Sequence, residues 1–430
     1  MTPLGLGWIA CTTAVEPPAV SPLVFGDRPR DVLMVSIDTL RRDALDPRLA
    51  PEGAPFLAGL AADGVWLDDL TQCSDWTFAS TSCTLDGRYP ETAGFVPQLD
   101  LDARAPLPDG RDTLAVRLRD AGYHTILVST NVWLSDVWNN AQGYDDVSWG
   151  GRAASANLEA GAALLAASGA DPWLLHVHLG EPHAPYTPPD AYLADEAALP
   201  PVPYDLTTTD GLYAATELWP SMSEAERALL EAHLRVRYAG EIRYLDDQLA
   251  AWWSDASDAG LLDDALVVVW SDHGEQFWEH GAQSHAYGLA AEENDAIGIL
   301  WARGLAPTTW TAPVAAVDWV PTILDALDLP ADGPLDGFAL GRAPADRPRF
   351  ASTAGRAGVA VSVEQHGWKL IVGFDGSARL YDRTTDPAEL VDRYRPDEPH
   401  VAGLWAMLAP RIAATSAALP DVPLTWPDGL

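Results

Sequence analysis

The chain has 430 residues, enough to bury a large core, which favours one big domain joined to a smaller one. Its 62 acidic and 26 basic residues give a formal charge of -36, and lysine occurs once, at Lys369. A surface so acidic excludes nucleic acid as the main partner, and an anionic substrate would need a local positive centre, most economically a metal ion. Hydrophobic residues make up 48% of the chain and the mean hydropathy is -0.04, the profile of a soluble globule. Genome composition or a saline habitat accounts for the bulk acidity.

The N-terminal stretch "MTPLGLGWIACTTAVEPPAVSP" is a short apolar run, then Ala10-Cys11, then a Pro-rich spacer. It looks like the end of a bacterial lipoprotein signal with Cys11 lipidated, but it lacks the basic n-region a signal needs. The reading is a leader and linker over 1–27 and a cell-envelope, periplasmic or extracellular location, with a disordered leader or a misassigned start, and then the cytoplasm, as the alternatives. The three cysteines, Cys11, Cys73 and Cys83, form no disulfide framework, and whether Cys73 and Cys83 pair depends on the fold. No run of about 18 apolar residues occurs, so no transmembrane helix is expected.

Five short apolar runs follow in order: "DVLMVSI" (31–37), "TILVS" (125–129), "WLLHVHL" (173–179), "LVVVWS" (266–271) and "IGILW" (297–301). Such runs suit strands buried on both faces of a parallel sheet. Between them, "PEGAPFLAGLAADG" and "DGRDTLAVRLRDAGYHT" carry helical spacing and end at Gly. A long helix is predicted from near "SMSEAERALL", where Ser221 with Glu224 or Ser223 with Glu226 can form a capping box. Tyr238, Ile242, Leu245, Leu249 and Trp252 lie on one face of it. The alternation predicts a doubly wound α/β domain over 28–330, with a large mixed or parallel sheet flanked by helices. Residues 188–222, rich in Pro, Asp and Thr, read as an excursion from that fold, over the site. Over 331–430 short β-like runs broken by Gly precede a helical tail, which predicts a small α+β subdomain.

In such sheets ligands bind beyond the carboxyl ends of the strands. Asp38 follows the first run and Asp272-His273-Gly274 the fourth, and carboxylates converging with an imidazole make a divalent-cation site. An Asp just after a strand is also a common helix cap, which accounts for either one alone. Six of the ten histidines, at 176, 178, 183, 273, 280 and 285, fall in strand-end segments, and the clustering favours a site over scattered structural roles.

Taken in order, "DVLMVSIDTLRRD", the segment from "PFLAGLAADG" to "CTLDGRYPETAG", "PHAPYTPP", "SDHGEQFWEHG" and "LYDRTTDPAELVD" resemble the landmarks of the sulfatase family of the alkaline phosphatase superfamily, nearly end to end. The resemblance implies Asp38, Asp272 and His273 as ligands of one divalent metal ion (Mn, Ca, Mg or Zn), with Thr77 at the nucleophile position as a further ligand. It implies His183 near the leaving group, His285 facing the substrate anion, His280 as a weaker contact, and Asn131 as a donor where the family has a Lys and His. Thr39 stands where many relatives have a second Asp. A second ion held by Glu181, His183 and His285 is the less favoured variant. Sulfatases carry Cys/Ser-x-Pro-x-Arg at the nucleophile, converted to formylglycine; here the register gives Thr77-Phe78-Ala79-Ser80-Thr81, with Thr81 in place of the Arg and so a candidate substrate contact. Relatives that act on phosphate and phosphonate esters use an unmodified Thr there. The expectation is a metal-dependent hydrolase of phosphate or phosphonate esters, with sulfate secondary, acting on a small-molecule, glycan or lipid ester. The alternative is a degenerate member that binds an anionic glycan or lipid headgroup without turnover. On residue type alone Thr77 is also a plausible N-cap of a helix over 78–86.

Overall fold

The computed structural model describes residues 23–45, 53–100, 102–151, 153–169 and 172–427. Cys11 and residues 1–22 of the expected leader lie outside the described residues. The centre is an eight-stranded sheet built from β1 (Asp31–Ile37), β2 (Val65–Leu67), β3 (His124–Ser129), β4 (Asp146–Trp149), β5 (Trp173–Leu179), β6 (Ala265–Ser271), β7 (Gly298–Trp301) and β8 (Thr308–Trp310). The strand order is β8-β2-β7-β6-β1-β5-β3-β4, and only β7 runs against its neighbours. The fold is thus mixed α/β with helices on both faces.

Alternation along β1 explains the two cores. Leu33, Val35 and Ile37 face one layer, which holds the long helix Glu224–Asp258 and the helix Ala154–Ser168. Val32 and Met34 face the other, against Leu114, Leu118 and the helix Trp319–Ala326. Of the two possible capping boxes, Ser223 with Glu226 starts the long helix. Tyr238, Ile242, Leu245, Leu249 and Trp252 form its buried face. The excursion does not roof the site. It lies along the long helix, where Glu196 accepts from Arg237 at 2.6 Å and the Tyr192 carbonyl accepts from Arg243 at 2.8 Å. Only its entry, near Pro189, borders the cleft described below.

The C-terminal part is a four-stranded antiparallel sheet, Arg349–Gly355, Gly358–Gln365, Trp368–Gly373 and Ala378–Asp382, in sequence order. The helix Pro399–Ala418 packs on it through Val401, Leu404, Leu408 and Ile412. That helix is long and apolar enough to cross a membrane by length and composition, yet this face of it belongs to the sheet's core.

Candidate active site

The register of the sheet builds the site. Ile37 of β1 pairs with Leu179 of β5 and Ser271 of β6, so all three strands end level. The ladder runs one step further, with Asp38 N donating to Leu179 O at 3.0 Å and Asp272 N to Ile37 O at 3.3 Å. Asp38 and Asp272 are thereby fixed side by side at the carboxyl edge, both buried. Gly274 is required by close approach: a Cβ there would collide with the Glu292 carbonyl. Its own carbonyl accepts from His273 Nδ1 at 2.9 Å, which leaves His273 Nε2 with a lone pair toward the carboxylates.

Thr77 does not cap its helix. The helix runs Thr77–Asp86, Trp76 is the N-cap residue, and no side chain caps it. Being the first helical residue, Thr77 turns its hydroxyl into the site, 3.3 Å from His273 Nε2 and 3.5 Å from Asp38 Oδ1. Asn131 Nδ2 donates to Asp38 Oδ2 at 2.9 Å and lies 3.3 Å from Thr77 Oγ1. The Trp133 amide donates to the Asn131 side-chain oxygen at 3.1 Å and fixes which end of the amide faces inward. The helix is braced by a disulfide between Cys73 and Cys83, whose Cα atoms are 6.6 Å apart. Neither sulfur is therefore free for conversion to formylglycine.

The donor set suits a divalent cation. Asp38, His178 and Asp272 offer ligand atoms within 4.8 Å of one another. His178 Nε2 and Asp272 Oδ2 are buried with no hydrogen-bond partner, a costly arrangement that a cation would relieve. Burial, then repulsion from Asp38, pushes Asp272 up to about 8, so without a cation the two carboxyls do not ionise together. Burial would raise Asp38 as well, but His183, His178 and His273 outweigh it and hold Asp38 below the usual carboxylate range. Residues Asp38, Asp272, His273 and His178 would hold the ion. Thr39, which has φ 57° and a buried, unpartnered hydroxyl, supplies only its amide, to Asp272 Oδ1 at 3.3 Å.

His178 was absent from the ligands expected from sequence. It sits inside an apolar run, and only the pairing Ser36↔His178 shows which face it takes. The period-two spacing with His176 was the available signal.

His183 and His285 come together, with ring centroids 5.1 Å apart, and His285 is 4.5 Å from His273. Burial lowers His183, but Asp38 and Glu275 outweigh it and the net shift is upward. For His285 burial wins and pulls it down to about 4, although Glu275 Oε1 is 3.3 Å from its Nδ1. One imidazole is thus biased toward the charged form and its neighbour toward the neutral one. His183 Nδ1 donates to Ala184 O at 2.6 Å. Asp38, Asn131, Trp133, Glu181, His183 and Tyr244 border a cleft of about 820 Å³.

Two expected substrate contacts are engaged elsewhere. Thr81 is fully buried, donating to the Thr77 carbonyl at 2.6 Å and accepting from Asn140 at 2.8 Å. It stiffens the helix and presents nothing to a ligand. His280 lies in a separate cavity against the C-terminal sheet, with Nε2 2.9 Å from the Glu389 carbonyl and Nδ1 2.9 Å from Glu292. Glu181 accepts from the Ala154 amide at 3.1 Å and does not join the ligand cluster of Asp38, His178 and Asp272.

A strand-end carboxylate cluster facing a helix-borne hydroxyl defines a hydrolase of the alkaline phosphatase-like fold. The sulfatase family model matches residues 30–329, and the chain belongs to that family, whose members hydrolyse sulfuric or phosphoric esters with a metal ion. A phosphonate monoester hydrolase from Silicibacter pomeroyi is similar at 20% identity and TM-score 0.69, over 90% of this chain and 95% of that one. One from Agrobacterium radiobacter is similar at 17% identity and TM-score 0.68, over 90% and 96%. A protein solved with its substrate, D-glucosamine-2-N,6-O-disulfate, is similar at 17% identity and TM-score 0.69, over 92% and 99%. At these identities the likeness is one of fold. Comparison with the curated proteins finds no match.

Proposed function

We propose that the protein hydrolyses phosphate or phosphonate esters with Thr77 as nucleophile, at a site holding one divalent ion. The observation that carries this is the Thr77 hydroxyl, turned away from capping and set 3.3 Å from His273 and 3.5 Å from Asp38. A bound cation would neutralise the anionic oxygens of the ester and lower the pKa of the Thr77 hydroxyl. Thr77 Oγ1 gives up its proton to solvent and, as the alkoxide, attacks phosphorus in line with the leaving oxygen, while Asn131 Nδ2 donates to a non-bridging oxygen; the alkoxide is the group released again when water displaces it. His183, held through Nδ1 and biased toward its charged form, gives the leaving group a proton. Water then attacks phosphorus of the Thr77 ester while His285, neutral, takes the proton, and Thr77 is regenerated. The preference for phosphorus over sulfate is supported by an unoxidisable residue at the nucleophile and by two cysteines committed to each other. Phosphonate monoester hydrolases stand among the structural neighbours beside sulfatases. The disulfide also supports an oxidising setting, in the envelope or outside the cell.

The test is a panel of p-nitrophenyl phosphate, its bis ester, p-nitrophenyl phenylphosphonate and p-nitrophenyl sulfate, with Mn, Zn, Mg or Ca. Divalent-dependent turnover of a phosphorus ester is expected, with Thr77→Ala lowering kcat by about 10³-fold or more. Preferred turnover of sulfate, or unchanged rates in Thr77→Ala, would sink the assignment.

A further inference from the structure

A chain of buried polar groups runs behind the candidate ligands, beside the apolar side chains of Met34, Leu174 and Trp270. Tyr144 Oη is 2.8 Å from His176 Nδ1, His176 Nε2 is 2.8 Å from Ser36 Oγ, and Ser36 Oγ is 2.9 Å from His178 Nδ1. Ser36, His176 and His178 are fully buried, and the neighbours of Ser36 and His176 on that face are Met34, Leu174 and Trp270. The far nitrogen of His178, Nε2, has no hydrogen-bond partner; its nearest carboxylate oxygen, Asp38 Oδ2, is 3.5 Å away.

We propose that His178 binds the metal ion through Nε2, and that Ser36, His176 and Tyr144 form a positioning chain that fixes its ring and its tautomer. Like the function above, this presumes that the site takes a cation; it does not presume turnover. Each neutral imidazole carries one proton, so the chain has two orders. In one, His178 Nδ1–H donates to Ser36, the Ser36 hydroxyl to His176 Nε2, and His176 Nδ1–H to the Tyr144 oxygen. His178 Nε2 is then bare and faces Asp38 and Asp272. In the reverse order Nε2 carries the proton and must donate to Asp38, but at 3.5 Å that contact is too long for a good hydrogen bond. The first order therefore matches the distances, and it is the order in which a histidine ligates through one nitrogen while donating through the other. The chain runs from a tyrosine hydroxyl through a histidine and a buried serine to the His178 ring. It also supplies a neutral donor in a chain whose Thr39 brings no carboxylate.

The protein is loaded with metal alone and no substrate. Mn²⁺ affinity is titrated for the wild type, His178→Gln, Ser36→Ala and Tyr144→Phe, and electron spin-echo modulation of the Cu²⁺-loaded proteins counts coupled imidazoles. The expected result is two imidazoles in the wild type, from His178 and His273, and one in His178→Gln. Affinity should fall roughly 10–100-fold in Ser36→Ala, and by the low end of that range in Tyr144→Phe with its imidazole count unchanged. Wild-type affinity in His178→Gln, or a single coupled imidazole in the wild type, overturns the ligand. Wild-type affinity in both Ser36→Ala and Tyr144→Phe overturns the positioning chain. Should His178→Gln fail to fold, the wild-type imidazole count decides. A protein with two coupled imidazoles that hydrolyses no ester keeps this inference and loses the proposed function.

Discussion

Two buried charged clusters in this molecule are balanced in opposite ways. Beneath the C-terminal sheet, Glu364 meets Arg349 at 2.7 Å and Arg383 at 2.9 Å, Glu389 meets Lys369 at 3.0 Å, and Arg383 also pairs with Asp295. At the carboxyl edge of the large sheet, Asp38, Asp272 and Glu275 have only histidines as ion-pair partners among the described residues. The consequence is visible in two buried carboxyls. Burial raises both, but the two arginines bring Glu364 down to about 2, while Asp38 adds to the burial of Asp272 and leaves it at about 8. The first cluster is complete in the polypeptide. The second is short of positive charge, and a chain with a single lysine has used it elsewhere. What separates structure from function here is where the compensating cation comes from.

The largest effect should come from opening the complete cluster. Lys369→Met leaves Glu389 buried beside Arg383 alone, and breaking a buried pair costs about 3–5 kcal/mol. Urea unfolding measures this, and a loss below about 1 kcal/mol would show that the pairing there is not what holds the sheet. Asp272→Asn tests the other cluster. Metal-free, the variant should be more stable than the wild type, because a carboxyl that folding forces to hold a proton is gone. With Mn²⁺ at about 100 times its Kd the wild type should gain about 2.7 kcal/mol, and Asp272→Asn should gain little. Thermal unfolding with EDTA and with Mn²⁺ gives both. A variant stabilised by Mn²⁺ as much as the wild type removes Asp272 from the site.

This difference also marks what the sequence could reveal. Strands β1, β3, β5, β6 and β7 were legible because continuous apolar runs have one good use in an α/β chain. The buried face of the long helix was legible for the same reason. Asp38 and Asp272 were legible because each follows such a run, and the register of β1 with β6 makes them neighbours. His178 was counted in the histidine cluster but not among the ligands, since the face it takes within an apolar run is not given until the pairing with Ser36 is known. Thr81 and His280 went astray because position in a motif does not say where a side chain points: one turned back on its own helix, the other to Glu292 and Glu389. The excursion over 188–222 was seen as an excursion, but charge pairing with the long helix, through Glu196 and Arg237, decided where it lies. The Cys73–Cys83 bond needed the turn before the helix that Thr77 begins to bring ten residues of separation within reach.

Glu241 gives the smallest effect and a pH-dependent version of the same contrast. It sits on the long helix at the edge of the cleft, accepting from the Thr187 amide at 2.6 Å. Burial, with Glu181 nearby, raises it to about 7, against the pull of the Thr187 amide and Arg237. A carboxyl raised in the folded state holds its proton there while the unfolded chain releases it near pH 4.5. Stability should therefore be greatest below pH 4.5 as far as this group is concerned, and should fall as pH rises toward 7, by roughly 2 kcal/mol. Glutamine keeps an oxygen to accept from Thr187 and cannot ionise, so Glu241→Gln should lack that component and be the more stable protein at pH 8. Urea unfolding at pH 5 and pH 8, for both proteins, isolates it as a difference of differences, which cancels the other titrating groups. Equal pH slopes would mean that Glu241 is ionised at little cost. The cleft would then hold its own counter-charge near the long helix, and the shortage of cations would be confined to Asp38 and Asp272.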